Sequence, residues 1–554
     1  MCRLSLILGI CLIGTIAWAD ETATPAASPA QVEWPEIQPS NVVDEQIFVK
    51  LRDQGLVPSA LTTDTDFLRR LSLTTIGQLP TPDEVREFMV DQRADKRARK
   101  IDALLAHPLH AAMWATRFSE LSGNSMDTLE GPDELKAKRA KMWHDWLRKR
   151  FDANVPYDKI VRGILTATSR ENVELEPWID QEAALIYSAR AAFDAPYADR
   201  PSLDLFWRRE SGDKPYPVEE MAERVASSFM GVRINCARCH AHPFDRWTQE
   251  DYGSFVNIFT QVRFDLSPEL RAKLSDRLAE RRARAAEGEE VGRPLPQLRE
   301  IYLSNQPHDL RNPEGTQELP AKPLGGPATI DGKENEAAEP HHHDRRVALM
   351  DWLAKSDNPF FARNIVNRIW AHHFGRGMVE PLDNFSASNP PSHPELLDKL
   401  ASDFIAHGYD IRWLERLILN STTWQLSSEP NATNAKDNRY FARAAVRMPA
   451  PETVVDMWHA ATGVAADFGD GVPKGVRAVE IGPSRLGAPL GFGRFDESRW
   501  DRFFKLFGRS ARTQTCDCEP RPGPSIRQSL ALRATPICST ICPRGESRTS
   551  SRAS

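Results

Sequence analysis

The chain has 554 residues, enough for more than one hydrophobic core, and its 41% hydrophobic and 27% charged content suits a folded globular protein. Lys+Arg 71 against Asp+Glu 77 leave a formal charge of −6, which supplies no global attraction to nucleic acid or to an anionic membrane. The only long apolar run lies at the extreme N-terminus, so a bundle of membrane-spanning helices is excluded, while composition by itself names no activity.

That first run carries information. Arg3 gives a basic start, Leu4 to Ile16 are almost wholly apolar, and Ala17-Trp18-Ala19 fits a small-x-small cleavage site. The pattern predicts a secretory signal peptide over 1–19 and an exported protein, periplasmic or secreted, with no transmembrane span after cleavage. An uncleaved anchor is the alternative. Residues 20–44, rich in Ala, Thr, Pro and Ser, are expected to be a flexible lead-in.

From 45 to 262 the periodicity is helical. Thr81-Pro82-Asp83-Glu84 reads as a capping box that starts a helix bearing Val85, Phe88 and Met89. Trp143, Trp146, Leu147 and Phe151, then Ile160, Val161, Ile164 and Leu165, recur at helical spacing and read as core. Val218, Met221, Val225 and Phe229 predict a helix that Gly231 ends, and Thr248 can cap the next one.

Between 263 and 344 the expected organisation is one charged helix (Leu270, Leu274, Leu278) followed by a loop-rich linker loaded with Pro, Gly and Glu. Ile301-Tyr302-Leu303 is its one strand-like stretch, and His341-His342-His343 closes it as a solvated run or a minor metal site. A second helical region spans 345–532. In it Ser392-His393-Pro394-Glu395 reads as another capping box, with Leu396, Leu397, Leu400 and Phe404 buried behind it. From 533 to 554 periodicity is lost, as expected of a disordered tail or a shifted reading frame. The fold class is therefore mainly α: two helical domains joined by a loop-rich, Pro/Gly-rich linker with little β structure.

Eight cysteines are too few for a disulfide-built scaffold of this size. Cys2 and Cys11 lie in the signal segment, Cys516 and Cys518 form a C-x-C, and Cys538 and Cys542 fall in the tail. The sharp signal is Cys236-Ala237-Arg238-Cys239-His240. Thiols at i and i+3 share one side of a helical turn and can reach two haem vinyl groups, while the next residue aims an imidazole at the iron. With this composition a chance C-x-x-C-H is expected roughly 0.003 times. Haem c through Cys236, Cys239 and His240 is one reading; Met221, Met230, Met350 and Met378 are available as distal ligands, none selected by spacing. Zinc held by the same cysteines with His240 and His242 is a second, and an oxidised C-x-x-C clamp with no cofactor is a third.

A second constellation lies between Asn364 and Gly377. Asn364, Asn367 and Arg368 stand at i, i+3 and i+4, and Gly375 and Gly377 allow a turn presenting Arg376. This grouping reads either as a contact surface for an anionic or sugar ligand or as a buried hydrogen-bonded network. There is no Walker-type loop, G-x-S-x-G or H-E-x-x-H.

Several stretches together resemble a known family. Asp66-Phe67-Leu68-Arg69-Arg70, Gly77-Gln78-Leu79-Pro80-Thr81-Pro82-Asp83-Glu84 and Asn235 through Trp247 resemble the exported planctomycete cytochrome c-like domain. Trp352-Leu353, Asp357-Asn358-Pro359-Phe360-Phe361, Asn367-Arg368-Ile369-Trp370, Phe374-Gly375-Arg376-Gly377 and Asn389 through Leu397 look like its usual C-terminal partner domain, whose function is unknown. The resemblance implies an exported two-domain protein with a haem assignment resting on C-x-x-C-H. Many relatives carry a further cytochrome module; no second C-x-x-C-H occurs here. The resulting expectation is redox or electron transfer with an external partner. The alternatives are a non-redox extracellular polysaccharide-binding scaffold using Asn364, Asn367, Arg368 and Arg376, and a zinc-dependent hydrolase.

Overall fold

The computed structural model describes residues 33–188, 196–212, 214–327, 344–464, 467–468, 472–482, 489–490, 494–495, 499–509 and 525–534. The segment 1–19 read as a signal peptide, the triple histidine His341-His342-His343, Cys516, Cys518, Cys538 and Cys542 lie outside these residues. Among the described residues there are 19 α-helices and three two-stranded antiparallel pairings, so the chain is mainly helical as its periodicity predicts. None of these helices is long and apolar enough to cross a membrane.

Local rules explain most helix starts. Thr81 accepts from Glu84 N while the Glu84 carboxylate accepts from Thr81 N, closing the expected capping box of helix Pro82–Val90. Thr81→Ala should cost about 1 kcal/mol, read as a lower urea midpoint with an unchanged slope. Thr248 and Asp251 make the same reciprocal pair at helix Gln249–Val256. Ser392 behaves differently. Helix Pro394–Ala406 begins after His393 with no side-chain cap, because the Ser392 hydroxyl pairs with His393 Nδ1 at 2.9 Å instead.

The lead-in ends sooner than its composition suggests. Helix Val42–Asp53 starts inside it, with Asn41 Oδ1 accepting from Val43 N. Buried Asp44 accepts from Ser40 N, Thr422 N, Thr423 N and the Thr423 hydroxyl, docking this helix onto the C-terminal region. Four donors compensate a desolvated carboxylate, a long-range pairing that no local pattern discloses. At the other end helix Ile526–Ala534 reaches two residues into the expected tail.

The two helical regions share one core. Phe67, Trp143, Trp146 and Phe229 from the first join Phe361, Trp370, Phe404 and Leu414 from the second in a continuous buried cluster. Tyr157 stacks on Phe361 with centroids 4.7 Å apart, and Arg70 donates to the carbonyls of Trp424 and Leu426. The segment expected to be a linker also packs back. Strand Val262–Asp265 pairs with Glu300–Leu303, helix Pro268–Ala286 buries Leu270 against Trp178, Ile179 and Leu298, and Ala321 and Leu324 enter the main core.

Candidate functional site

The Cys-x-x-Cys-His segment sits on a short connection between two helices. Helix Val218–Val225 buries Met221 and Val225, continues as a five-residue π-turn Ala226–Met230, and stops at Gly231, whose φ of 69° is left-handed. Ile234 is buried and leads into a 3₁₀ turn, Asn235–Arg238. Within it Ala237 N donates to Ile234 O at 2.9 Å, and Cys239 N and His240 N both donate to Cys236 O at 3.3 and 3.4 Å. Only Ala237 points inward. Cys236, Arg238, Cys239 and His240 are exposed, and the two thiols are free.

The return path is anchored at Trp247. This residue is buried, its carbonyl accepts from His242 N at 2.8 Å, and its ring lies 6.3 Å from that of Phe360. Phe244, at the tip, is 71% exposed. On the near side Asn235 Nδ2 and the Tyr252 hydroxyl donate to the two oxygens of Glu223 at 2.7 and 2.8 Å. Burial raises the Glu223 carboxyl above its ordinary value even though Tyr252 and Arg238 oppose the shift.

The second constellation lies directly beneath this connection. A helix leaves its last carbonyls without intrahelical partners. Here helix Phe361–Phe374 supplies those partners: Asn364 Nδ2 donates to Ser228 O at 2.7 Å and Arg368 Nη2 to Ser227 O at 3.2 Å. Arg368 Nε also donates to Asn364 Oδ1 at 3.0 Å, which holds the amide in register. Two further ties follow. Phe385 N donates to Gly231 O at 2.9 Å, and Arg233 makes a two-pronged pair with buried Asp383 at 2.9 and 2.5 Å. The two sequence patterns that looked independent are one assembly.

Of the two readings of this face, ligand surface or buried network, the geometry follows the second. The i, i+3, i+4 spacing does put Asn364, Asn367 and Arg368 together, but the face turns inward. Asn367 is buried and accepts from Met378 N and Val379 N while donating to Val379 O, bracing the following turn. Arg376 is partly exposed and donates to Asn438 O. Buried amides must be hydrogen-bonded, and here backbone groups and the Arg368 side chain supply the partners.

The donor set at the loop suits a covalently tethered haem. Both sulfurs are exposed and unpaired, and their one-turn separation is held by hydrogen bonds to Cys236 O. His240 Nδ1 lies 2.8 Å from Ala241 O, a contact that needs the proton on Nδ1 and so favours the tautomer with its lone pair on Nε2 in the neutral ring, the usual arrangement behind a metal-ligating imidazole. Met221, Met230, Met350 and Met378 are all buried. Among the described residues no three His, Cys, Asp or Glu side chains converge in a way that could hold a metal ion, so a four-donor zinc cage from Cys236, Cys239, His240 and His242 is not preformed.

A second polar cluster escaped sequence reasoning. Glu415 Oε2 lies 2.7 Å from His110 Nε2 and its Oε1 lies 2.9 Å from His373 Nε2, all three groups being buried. A signal existed. Ile411, Leu414, Glu415, Ile418 and Leu419 are the buried positions of helix Ile411–Leu419, so a carboxylate stands in an apolar register and requires buried donors.

The chain is thus a mainly helical protein in which two regions build one core around an exposed C-x-x-C-H connection. Residues 42–264 match the family model PSCyt2, a protein of unknown function (DUF1549), and residues 345–485 match PSD1, a protein of unknown function (DUF1553). In this order the matches fit a two-domain family of unknown function, and the segment between them is the one that packs back onto the core. No curated protein and no solved structure was found to match.

Proposed function

We propose that this is an exported haem protein of redox or electron-transfer function, with one haem tethered through Cys236 and Cys239 and ligated by His240. The observation that carries the reading is the pairing of two free, exposed thiols one turn apart with an adjacent imidazole whose Nδ1 is engaged by Ala241 O. When bound, the haem supplies a one-electron couple. The chain's own part is to hold the two sulfurs on one side of the 3₁₀ turn, to keep Nε2 of His240 as the free donor, and to leave the loop open to a partner. The exposed ring of Phe244 and the exposed Arg238 and Arg246 of the same loop give that partner apolar and cationic groups to contact.

The test is a haem stain on denatured protein expressed with periplasmic maturation factors, together with a pyridine haemochrome spectrum. Wild type should give a covalent band, Cys236→Ala plus Cys239→Ala none, and His240→Ala a covalent band with an altered spectrum. A wild-type chain that emerges at its bare polypeptide mass, with no stain, would end the proposal.

A further inference from the structure

We propose that the C-terminal region is part of the Cys236/Cys239/His240 site, with Asn364, Arg368 and Asp383 acting as positioning residues for the motif loop. The inference rests on reading that loop as the functional site, but its physical content is independent of which cofactor the loop carries.

Four separate contacts support it, and all fall within seven residues on the N-terminal side of the motif. Ser227 O and Ser228 O receive Arg368 and Asn364, Gly231 O receives Phe385 N, and Arg233 pairs with Asp383. Each of the three positioning groups is more than 130 residues away in sequence from the atom it holds. Packing leaves no slack at the turn. A Cβ added to Gly231 would stand 2.7 Å from Phe385 Cδ2 and 2.8 Å from Asn364 Oδ1. The helix end therefore cannot shift without moving the C-terminal residues that cap it.

The consequence is a direct link between the two matched regions. A 3₁₀ turn is a weak element, held here by hydrogen bonds of 2.9–3.4 Å between Ile234 and His240. Its thiol spacing depends on where residue 234 enters, and that point is set by Arg233 and Gly231. The C-terminal region thus acts on the motif through the backbone just ahead of it rather than by touching the sulfurs.

Amide hydrogen exchange on the full chain tests this. Arg368→Met, which keeps the stem and removes the donors, should raise exchange across 229–240 about tenfold or more while helix Pro108–Ser122 is unchanged. Arg368→Lys, which retains one donor, should fall between the two, and Asp383→Asn should act in the same direction as Arg368→Met. If Arg368→Met is too unstable to purify, the wild-type chain decides the matter. The hydrogen-bonded amides of Phe385, Val232, Ala237, Cys239 and His240 should then open with protection factors within about threefold of each other. Unchanged exchange in folded Arg368→Met, or opening of the motif loop wholly independent of Phe385, overturns the proposal. A parallel haem stain separates the two ideas: no haem in wild type removes the cofactor reading, and exchange still decides the positioning role. If haem is bound, its yield per folded chain should fall at least twofold in Arg368→Met.

Discussion

Glu415→Ala is expected to cost about 2–5 kcal/mol of folding stability, roughly 1–3 kcal/mol for each of two buried imidazole N–H groups left without an acceptor. The carboxylate is completely buried and is met by an imidazole nitrogen from each matched region, His110 on helix Pro108–Ser122 and His373 on helix Phe361–Phe374. Alanine would leave two imidazole N–H groups facing a cavity. Their Nδ1 atoms already lack partners, so neither ring can recover a bond by turning over. Glu415→Gln should cost less, because its one carbonyl oxygen can still accept from one ring. Urea unfolding at pH 7.5 measures both; a loss below 1 kcal/mol for Glu415→Ala would show that the cluster carries little of the core's stability.

The same cluster sets the expected pH response. Burial dominates the shift at His372 and His373 and holds both below the ordinary imidazole value of 6.5, with Arg447 repelling a proton at each and Glu415 opposing the shift. Burial likewise lowers His144 and His459, and lowers His393 to about 4. For Glu415 burial pushes upward, but attraction to His110 and the two imidazole hydrogen bonds prevail, so the carboxyl sits well below its usual range. As pH falls through 6.5 the unfolded chain takes up protons that these five folded-state histidines refuse, so stability drops by up to about 1.4 kcal/mol per pH unit for each. Below about 4.5 Glu415 adds to the loss, since the unfolded carboxyl protonates first. Asp456 works the other way. Burial raises it to about 7, so its contribution is present below the ordinary 3.8 and fades as pH rises through 7. Glu223, which burial also raises, acts in the same direction as Asp456, and two opposing groups do not cancel five. Melting temperatures between pH 8 and 4 should fall on acidification, and a curve that rises toward pH 5 would contradict the assignment.

Gly231→Ala is expected to cost about 2–4 kcal/mol. A left-handed φ of 69° is worth about 1 kcal/mol against any side chain, and the contacts with Phe385 and Asn364 add an overpacking cost of about 1–3 kcal/mol. Gly408 is the control. Its φ is 68°, and nothing lies within 4 Å of an added Cβ, so Gly408→Ala should show the conformational cost alone, about 1 kcal/mol. The difference between the two variants in urea unfolding isolates how tightly the C-terminal region grips the motif turn. Equal losses would mean that the grip is loose.

Much of the architecture was legible one element at a time. Helical periodicity placed Trp143, Trp146, Ile160, Ile164, Leu396 and Leu400 in the core because burial of one helix face repeats every three to four residues, and all six are buried. Thr81-x-x-Glu84 and the capping residue Thr248 announced helix starts because a cap is made by atoms within three residues of each other, and Asp251 completes the second box. Ser392-x-x-Glu395 had the same pattern and did not cap, since the neighbouring His393 ring captured the hydroxyl. The thiol–imidazole cluster was visible for the same local reason: five consecutive residues carry it.

What the sequence by itself determined is whatever depends on neighbours within about one helical turn: mostly helix, the buried stripes, the caps, and one pentapeptide with three metal-competent side chains. Only the tertiary structure decided which way the Asn364/Asn367/Arg368 face turns, that it caps the carbonyls of Ser227 and Ser228, and that Glu415 meets His110. These pairings join atoms 136, 141 and 305 residues apart. An amide or guanidinium is equally able to bind a sugar, an anion or a backbone carbonyl, and only the burial imposed by the shared core chooses among them.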